Sequence, residues 1–431
     1  MSDVRVAVVG AGLAGLVAAH RLRAAGIDAT VFEATSEIGG RLRAETLDGV
    51  KFEPALQALP RSAPVLGGLI AELGLSKSVS RAPLEGARCL KRGSLVPEST
   101  LTLDHVTRGP LWGLRAGRLR TIVQWLGGDL DPLAPDRATR LDDRSVADFA
   151  RLVLGRRAGP ELFAPLLATL FAHDARETSR QLLFSLLDPW GNVEVSLAFG
   201  LSAVPTALAT GLELHTGERV ESLLPSGTGV RLACGEEIRA DAVVLAVPAC
   251  AVLELAAELS PAERDALESL RTVGALHLAV SIERKERGTA SWIPEAEGGP
   301  VAGSIELGNG APSRQLVLLV ARPRFAKTEA HRSDEELAGI LLDGAEGIQP
   351  GLRHRLRASK LLRLPAILPH FGPGHYRATE LLWRERARQP ERRVFLCGDY
   401  LAGPHAEGAA ASATRTANEV RRELSESGGR R

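Results

Sequence analysis

The chain has 431 residues, in which 53 Lys and Arg oppose 52 Asp and Glu for a net charge of +1. That length predicts two joined domains, and the balanced charge offers no electrostatic footprint for nucleic acid or an anionic membrane. With 45% hydrophobic and 24% charged residues, the composition excludes disordered, collagen-like and disulfide-framework proteins.

The four cysteines are scattered without a CxxC pair, so the sequence predicts no metal site and no dithiol redox site. No basic segment followed by an apolar run opens the chain, so no secretory signal is expected. The most apolar stretch, residues 242–253, is too short to span a bilayer and contains Pro248. We expect a soluble, cytoplasmic enzyme.

The first predicted elements form a βαβ unit. The β-branched run of residues 4–9 predicts a buried parallel strand. A helix follows and is predicted to end at Gly26, and a second strand runs from Ala29 to Phe32 and ends on Glu33.

Three glycines lie between the first strand and the helix. Gly10 permits the tight turn, Gly12 lets a phosphate approach the backbone, and Gly15 allows the helix to pack closely on the strand. Glu33 is placed to hold a ribose hydroxyl pair, which argues against a 2′-phosphate. The pattern predicts a dinucleotide site, whose further contacts we assign to Ala11, Leu13, Ala14 and Ala34.

NAD and FAD share this pattern, and features at both chain ends favour FAD. The segment Gly39-Gly40-Arg41-Leu42 could bring a second loop and a cation to the pyrophosphate. Near the C-terminus, Gly398-Asp399 could place a carboxylate on a polyol hydroxyl. The next helix would point its N-terminus at an electron-rich ring, near Glu407, Gly408 and Ala409.

The remaining elements follow in chain order. Asp48-Gly49 predicts a hairpin turn, and residues 66–201 are interpreted as mainly helical. Five short strands are predicted between residues 212 and 247, and a helix at 260–270 begins with Ser260 as N-cap. Strands at 273–283, 316–320 and 394–396, a helix at 408–424 and a frayed tail at 425–431 complete the prediction.

Three segments resemble the flavin amine oxidase and protoporphyrinogen oxidase superfamily, which includes phytoene-desaturase-like enzymes. They are Val8 to Arg41, residues 200–248, and Val394 to Tyr400 followed by Glu407-Gly408-Ala409 and Ser412. The resemblance implies a backbone clamp on the adenine at Val220, with Val247 nearby. It also implies a stretch beneath the isoalloxazine at Ala55, Leu56 and Gln57, where Pro54-Ala55 departs from the glycines common in the family.

The implied fold is α/β, with a Rossmann-like FAD-binding domain of the GR2 type and an α+β substrate domain. We expect the discontinuous FAD domain at residues 1–70, 205–272 and 370–431. The substrate domain would comprise residues 71–204 and 273–369.

The expected function is FAD-dependent dehydrogenation or desaturation of a largely apolar small molecule by hydride transfer to flavin N5, as in protoporphyrinogen oxidase-like enzymes. The electron acceptor would be O2 or a quinone, and peripheral membrane contact through a substrate-domain helix stays open. A simple amine substrate is disfavoured, because only Tyr376 and Tyr400 are available and no aromatic lies in residues 403–407.

Three alternatives remain open: a flavin amine or amino-acid oxidase, a non-catalytic dinucleotide-binding module, and an NAD-dependent dehydrogenase that uses only the first βαβ unit. Lys285 and Lys327 are the lysines that could contact flavin N5 through water. His173 is either a general base or a turn cap, and Arg88 or Arg92 could bind substrate carboxylates. We assign no catalytic residue from the sequence.

Overall fold

The computed structural model describes residues 5–55, 57–60, 62–83, 88–97, 112–126, 131, 134–187, 195–225, 228–283, 290–307, 314–389 and 391–428. Its strands in chain order are β1 Arg5–Val9, β2 Asp28–Glu33, β3 Glu45–Leu47, β4 Val50–Phe52, β5 Gln57–Pro60, β6 Ser80–Pro83, β7 Arg88–Lys91, β8 Ser94–Pro97, β9 Val195–Phe199, β10 Glu213–Thr216, β11 Val220–Leu223, β12 Gly229–Leu232, β13 Glu237–Arg239, β14 Ala242–Leu245, β15 Thr272–Glu283, β16 Ala290–Trp292, β17 Val301–Leu307, β18 Arg314–Ala321, β19 Leu356–Pro369 and β20 Val394–Leu396.

The α-helices are α1 Leu13–Ala24, α2 Pro64–Glu72, α3 Trp112–Leu126, α4 Val146–Val153, α5 Ala164–Phe171, α6 Arg180–Ser185, α7 Ala203–Ala209, α8 Ala249–Leu255, α9 Pro261–Ser269, α10 Pro323–Thr328, α11 Asp334–Gly344, α12 Leu352–Arg355, α13 His375–Ala387 and α14 Ala406–Gly428. Short 3₁₀ segments lie at Gly40–Leu42, Pro135–Leu141, Glu295–Glu297 and Asp399–Leu401, and a π-helical turn at Gly159–Phe163.

A parallel five-stranded sheet in the order β10-β2-β1-β14-β20 brings the two ends of the chain together. Its apolar strands are buried on both faces, as a parallel sheet requires. One face packs on α1, α2, α7 and α14, and the other on α8, α9 and the β11-β12-β13 meander. The strand order reverses beside β1, so the crevice at the carboxyl ends of β1 and β14 is where such folds bind ligands.

A second, seven-stranded sheet has the order β19-β15-β18-β17-β16-β7-β8 and is antiparallel except between β16 and β7. Alternate residues of its central strands face opposite layers: Leu316 and Leu318 pack with the helices α4 and α5, whereas Val317 and Leu319 pack against α11. A third sheet, β5-β9-β6, pairs strands from the expected FAD and substrate segments. The domain boundaries remain a prediction.

Several local predictions agree with the structure. Asp48 and Gly49 both have positive φ, 50° and 77°, in the β3–β4 hairpin, and Gly26 adopts the left-handed conformation after α1. Helix α9 begins with Ser260 as N-cap and a capping box with Glu263.

The described residues between 66 and 201 are mainly helical, as predicted, but they also contain the strands β6 to β9. These short strands were not predicted, because strands that pair with distant partners leave no local alternation. One prediction is wrong. The tail was expected to fray from residue 425, but α14 continues to Gly428, and residues 429–431 lie outside the described part.

Among the residues the structure describes, no helix has both the length and the apolar character to cross a bilayer.

Candidate functional site

The glycine turn after β1 leaves room for a ligand at one position only. A Cβ on Gly10, whose φ is 102°, would lie 2.7 Å from the Ala246 carbonyl oxygen, and one on Gly15 would overlap the Gly10 carbonyl oxygen. A Cβ on Gly12 would meet no atom of the part of the chain that the structure describes within 4 Å. This open space adjoins the N-terminus of α1, where Leu13 and Ala14 begin the helix without a side-chain cap, and suits a phosphate.

The second glycine loop lies directly against this turn. The Gly39 amide donates to the carbonyl oxygen of Ala11 at 2.8 Å, and Gly12 and Gly39 form an isolated parallel bridge. Gly39 and Gly40 have φ of 98° and 53°, which favours glycine there. Leu42 is buried behind the loop. The two segments predicted to contact the pyrophosphate are therefore adjacent.

An ion pair joins the two ends of the chain at this point. Arg41 Nη1 donates to Asp399 Oδ2 at 2.6 Å and to the Ile367 carbonyl oxygen at 2.9 Å. Asp399 begins the 3₁₀ turn after Gly398, and its side chain is 8% exposed, whereas that of Arg41 is 40% exposed. The cation and the carboxylate that the sequence assigned to separate cofactor contacts thus lie side by side.

Glu33 is fixed at the edge of the glycine turn. Its Oε2 accepts from the Ala11 amide at 2.8 Å, and its Oε1 accepts from the Thr35 amide and hydroxyl at 2.9 Å. Ala34 follows it directly at the end of β2. The carboxylate lies where the carboxyl end of β2 meets the phosphate turn, which is the position expected for a ribose-binding acid.

The stretch expected beneath the flavin ring joins several sheets. Glu53 Oε1 accepts from the Ser202 amide at 2.7 Å, just before α7, and burial raises the pKa of this carboxyl. Ala55 is 5% exposed in an apolar cluster with Ala172, Ala275 and Ile367. Leu56 lies outside the described residues, and Gln57 begins β5.

The side chain of Glu407, in the first turn of α14, is hydrogen-bonded to α2. It is fully buried, and its two oxygens accept from the amides of Val65 and Leu66 at 3.0 and 2.7 Å in the first turn of α2. Burial raises the pKa of the Glu407 carboxyl. Glu407 could therefore contact a cofactor only through its backbone atoms.

The other predicted cofactor residues lie around the same crevice. Gly408 packs so closely on Gly403 that a Cβ would overlap the Gly403 carbonyl oxygen, and Ala409 is buried in the first turns of α14. Val247 lies beside the glycine turn, since a Cβ on Gly10 would be 3.4 Å from its Cγ1. Val220 begins β11 and is 7% exposed.

His173 has no free nitrogen for acid–base work. Its Nδ1 lies 2.6 Å from the carbonyl oxygen of Phe171 and its Nε2 accepts from the Phe371 amide at 3.2 Å. Burial, reinforced by His370, lowers its pKa to about 3. His173 is therefore a neutral structural group that ties the end of α5 to the segment before α13.

Three other candidates lie on the seven-stranded sheet or on the helix that follows β18. Arg88 and Arg92 belong to the β7–β8 hairpin at the far end of the seven-stranded sheet, where Arg88 approaches Glu306 at 3.6 Å. Lys327 is exposed on α10, and Lys285 lies outside the described residues.

Three side chains that hold the C-terminal part of the site were given no role from the sequence, although Ser412 belongs to the C-terminal signature. The Ser412 hydroxyl accepts from the Gly398 amide at 3.1 Å, Thr416 donates to the Leu396 carbonyl oxygen at 2.8 Å, and His405 Nδ1 accepts from the Gly408 amide at 2.9 Å. The spacing from His405 to Gly408 is that of an N-cap and the third helical residue, a signal the sequence carries.

Comparison with known proteins identifies the family. The sequence profile of the flavin containing amine oxidoreductases matches residues 13–421. The chain is 26% identical over 461 aligned residues to coproporphyrinogen III oxidase of Mycobacterium bovis, a match that covers 96% of this chain and 97% of that protein. It is 41% identical over 234 residues to protoporphyrinogen oxidase 2 of Arabidopsis thaliana, covering 53% of this chain but only 43% of the plant protein.

Among solved structures, cyclohexylamine oxidase from Brevibacterium oxydans IH-35A superposes with a TM-score of 0.74 at 18% identity, covering 98% of this chain and 100% of that one. At this identity the likeness concerns the fold alone.

Proposed function

Because the chain belongs to the family of flavin-containing amine oxidoreductases, we propose that it is an FAD-dependent enzyme that dehydrogenates or desaturates a largely apolar small molecule, in the manner of a protoporphyrinogen oxidase. The observation that carries the proposal is the Arg41–Asp399 pair of 2.6 Å beside the glycine turn. It unites the N-terminal dinucleotide signature with a C-terminal signature that NAD binding alone would not need.

The residues present fit FAD. The open space at Gly12 and the uncapped N-terminus of α1 would receive the pyrophosphate together with Arg41, and Glu33 would hold the ribose. Asp399 would bind the ribityl chain. FAD, when bound, supplies a hydride acceptor at N5.

The surroundings of Ala55 support an apolar substrate. Ala55, Ala172, Ala275 and Ile367 form one cluster, which packs with the partly buried Val273, Leu364 and Leu368. The cluster combines the stretch expected beneath the ring with residues from the seven-stranded sheet and the end of α5. Such a cluster would exclude water beside the ring, which favours hydride transfer over side reactions.

The names of the relatives suggest porphyrinogens as the substrate class to test. We propose O2 or a quinone as the electron acceptor. The two tyrosines do not support an aromatic cage for amines. Tyr376 packs on Phe371 with ring centroids 5.1 Å apart, and the ring of Tyr400 lies against Gly398; neither belongs to the cluster around Ala55. A cytoplasmic location stays a prediction.

The proposal is tested first at Asp399. The variant Asp399→Asn removes the charge that faces Arg41, and we expect at least a tenfold weaker FAD affinity in a fluorescence titration. Asp28→Asn, exposed at the opposite end of β2, is the matched control and should bind as the parent does. An unchanged affinity of Asp399→Asn would contradict the role of the C-terminal carboxylate and is the result expected if only the first βαβ unit held the dinucleotide.

The substrate class is tested with the FAD-loaded protein under anaerobic conditions. We expect coproporphyrinogen III or protoporphyrinogen IX to bleach the flavin absorption, and putrescine or cyclohexylamine to leave it unchanged. Bleaching by amines alone would contradict the proposal in favour of an amine oxidase. Bound FAD that no reductant of either class bleaches would favour a non-catalytic module.

A further inference from the structure

His405 is an unusual helix cap at the C-terminal part of the site. It is the residue before α14, it is buried, and its Nδ1 accepts the Gly408 amide at 2.9 Å. Caps are usually short oxygen-bearing side chains such as Ser, Thr, Asp or Asn. Here an imidazole performs that role in the helix whose N-terminus is expected to face the flavin.

The hydrogen bond fixes the chemical state of this imidazole. Nδ1 can accept only as a lone pair, so the ring is neutral and carries its proton on Nε2. Burial lowers the His405 pKa to about 4, so this state is kept at neutral pH. His405 therefore provides a hydrogen-bond acceptor to the first turn of α14 without adding a negative charge there.

Close packing on Gly403 also restricts the position of the His405 imidazole. A Cβ on Gly403 would lie 2.8 Å from Nε2 and 2.9 Å from Cε1 of His405, so the imidazole rests on a residue that must be small. The Gly403 amide in turn donates to the Asp399 carbonyl oxygen at 2.8 Å. The cap is thus continuous with the backbone of the residue that pairs with Arg41.

We propose that His405 is a positioning residue for the flavin: it fixes the first turn of α14 so that the helix N-terminus faces the isoalloxazine. The inference rests on the proposed FAD site. Glu407 anchors the same turn to α2 on its other side, so two side chains hold it. A fixed N-terminus favours the more electron-rich, reduced form of the ring, because the helix carries partial positive charge there.

The test compares His405→Leu, which removes the acceptor, with His405→Asn, which restores a neutral cap. FAD affinity and the two-electron midpoint potential are measured on the FAD-loaded protein, with circular dichroism to confirm folding. We expect His405→Leu to lose at least tenfold in its preference for reduced over oxidised flavin, which lowers the potential by about 30 mV. His405→Asn should stay within about twofold of the parent.

Gly403→Ala provides an independent variant, because the added Cβ displaces the ring without altering His405 itself. Gly403→Ala should lower the midpoint potential as His405→Leu does. If His405→Leu fails to fold, the potential of Gly403→Ala tests the inference in its place. A parent-like potential in the Leu or the Ala variant, or an Asn variant as low as Leu, overturns the inference. A parent protein that takes up no FAD contradicts the proposed function instead.

Discussion

At the scale of single residues, buried or half-buried acceptors hold the helix N-termini around the site. Glu407 accepts amides of α2, Glu53 the amide before α7, and His405 an amide of α14. Asp142 accepts the Arg377 amide of α13 at 3.1 Å and the Ser179 hydroxyl at 2.6 Å. Each of these bonds satisfies a donor at a helix N-terminus. A donor that is buried without a partner costs about 1–3 kcal/mol of stability.

The glycine turn yields a prediction that separates binding from folding. In Gly12→Ala the new methyl group meets no atom of the described residues within 4 Å, and the φ of −72° suits alanine, so stability should be unchanged. The methyl group occupies the expected phosphate space, so FAD affinity should fall at least tenfold. Thermal unfolding of the cofactor-free protein and FAD titration measure the two effects.

Gly15→Ala is the matched contrast in the same turn. Its Cβ would overlap the Gly10 carbonyl oxygen, so we expect the first βαβ unit to be destabilised before any cofactor is added. If Gly12→Ala binds FAD as the parent does, the pyrophosphate does not approach the backbone at Gly12.

At the scale of elements, locally encoded features were predictable. The first βαβ unit, the β3–β4 hairpin and the Ser260 cap each depend on residues close in sequence, and all are present. The sequence did not predict β19, which is an edge strand paired with β15. Pro365 and the exposed charged residues of this strand interrupt the alternation of apolar and polar residues by which a strand is recognised.

The same distinction applies to the site. The glycines and acids were recognisable because phosphate binding demands them within a short stretch of sequence. That Arg41 would meet Asp399, 358 residues away, depends on the pairing of β14 with β20 and left no local signal. The structural use of Glu407 was hidden for the same reason, since its partners lie on α2.

The junction between α2 and α14 yields a prediction about stability. Glu407→Gln leaves one oxygen acceptor for two buried amides and turns an NH2 group toward them, so we expect a loss of about 1–3 kcal/mol in the free energy of unfolding. Glu335→Gln, exposed in the first turn of α11, should change it by less than about 0.5 kcal/mol. Equal stability of the two variants in urea titrations would contradict the capping role.

At the scale of the whole molecule, buried neutral histidines make the fold sensitive to acid. Burial lowers the pKa to about 4 for His277, His375 and His405, and to about 3 for His173. An unfolded histidine has a pKa of about 6.5, so below that pH the unfolded chain binds protons that the folded one excludes. The contribution of these histidines to stability is therefore full above pH 6.5 and falls progressively toward pH 4.

His277 allows this to be measured at one site. Its Nδ1 lies 3.4 Å from the Pro54 carbonyl oxygen, a contact that an amide can replace. We expect His277→Gln to reduce the stability lost between pH 7 and pH 5 by about 2 kcal/mol. His354→Gln, exposed on α12, should leave the loss unaltered. An undiminished loss in His277→Gln would show that this histidine is protonated in the folded state.

The thiol beside the site bears on how the flavin is held. Cys397 precedes Gly398 and is fully buried in the core formed with α1 and α14, and burial raises its pKa to about 12. A thiol in that state is a poor nucleophile. We therefore predict that Cys397 makes no covalent bond to the cofactor and that FAD is held by non-covalent contacts alone.

The visible spectrum of the purified protein supplied with FAD, recorded before and after acid precipitation, tests the central claim most directly. The proposed site predicts flavin absorption that remains with the protein through desalting, and that acid releases into the supernatant as intact FAD. A protein that stays colourless after FAD is added contradicts the flavin site, and colour retained in the acid pellet contradicts non-covalent binding.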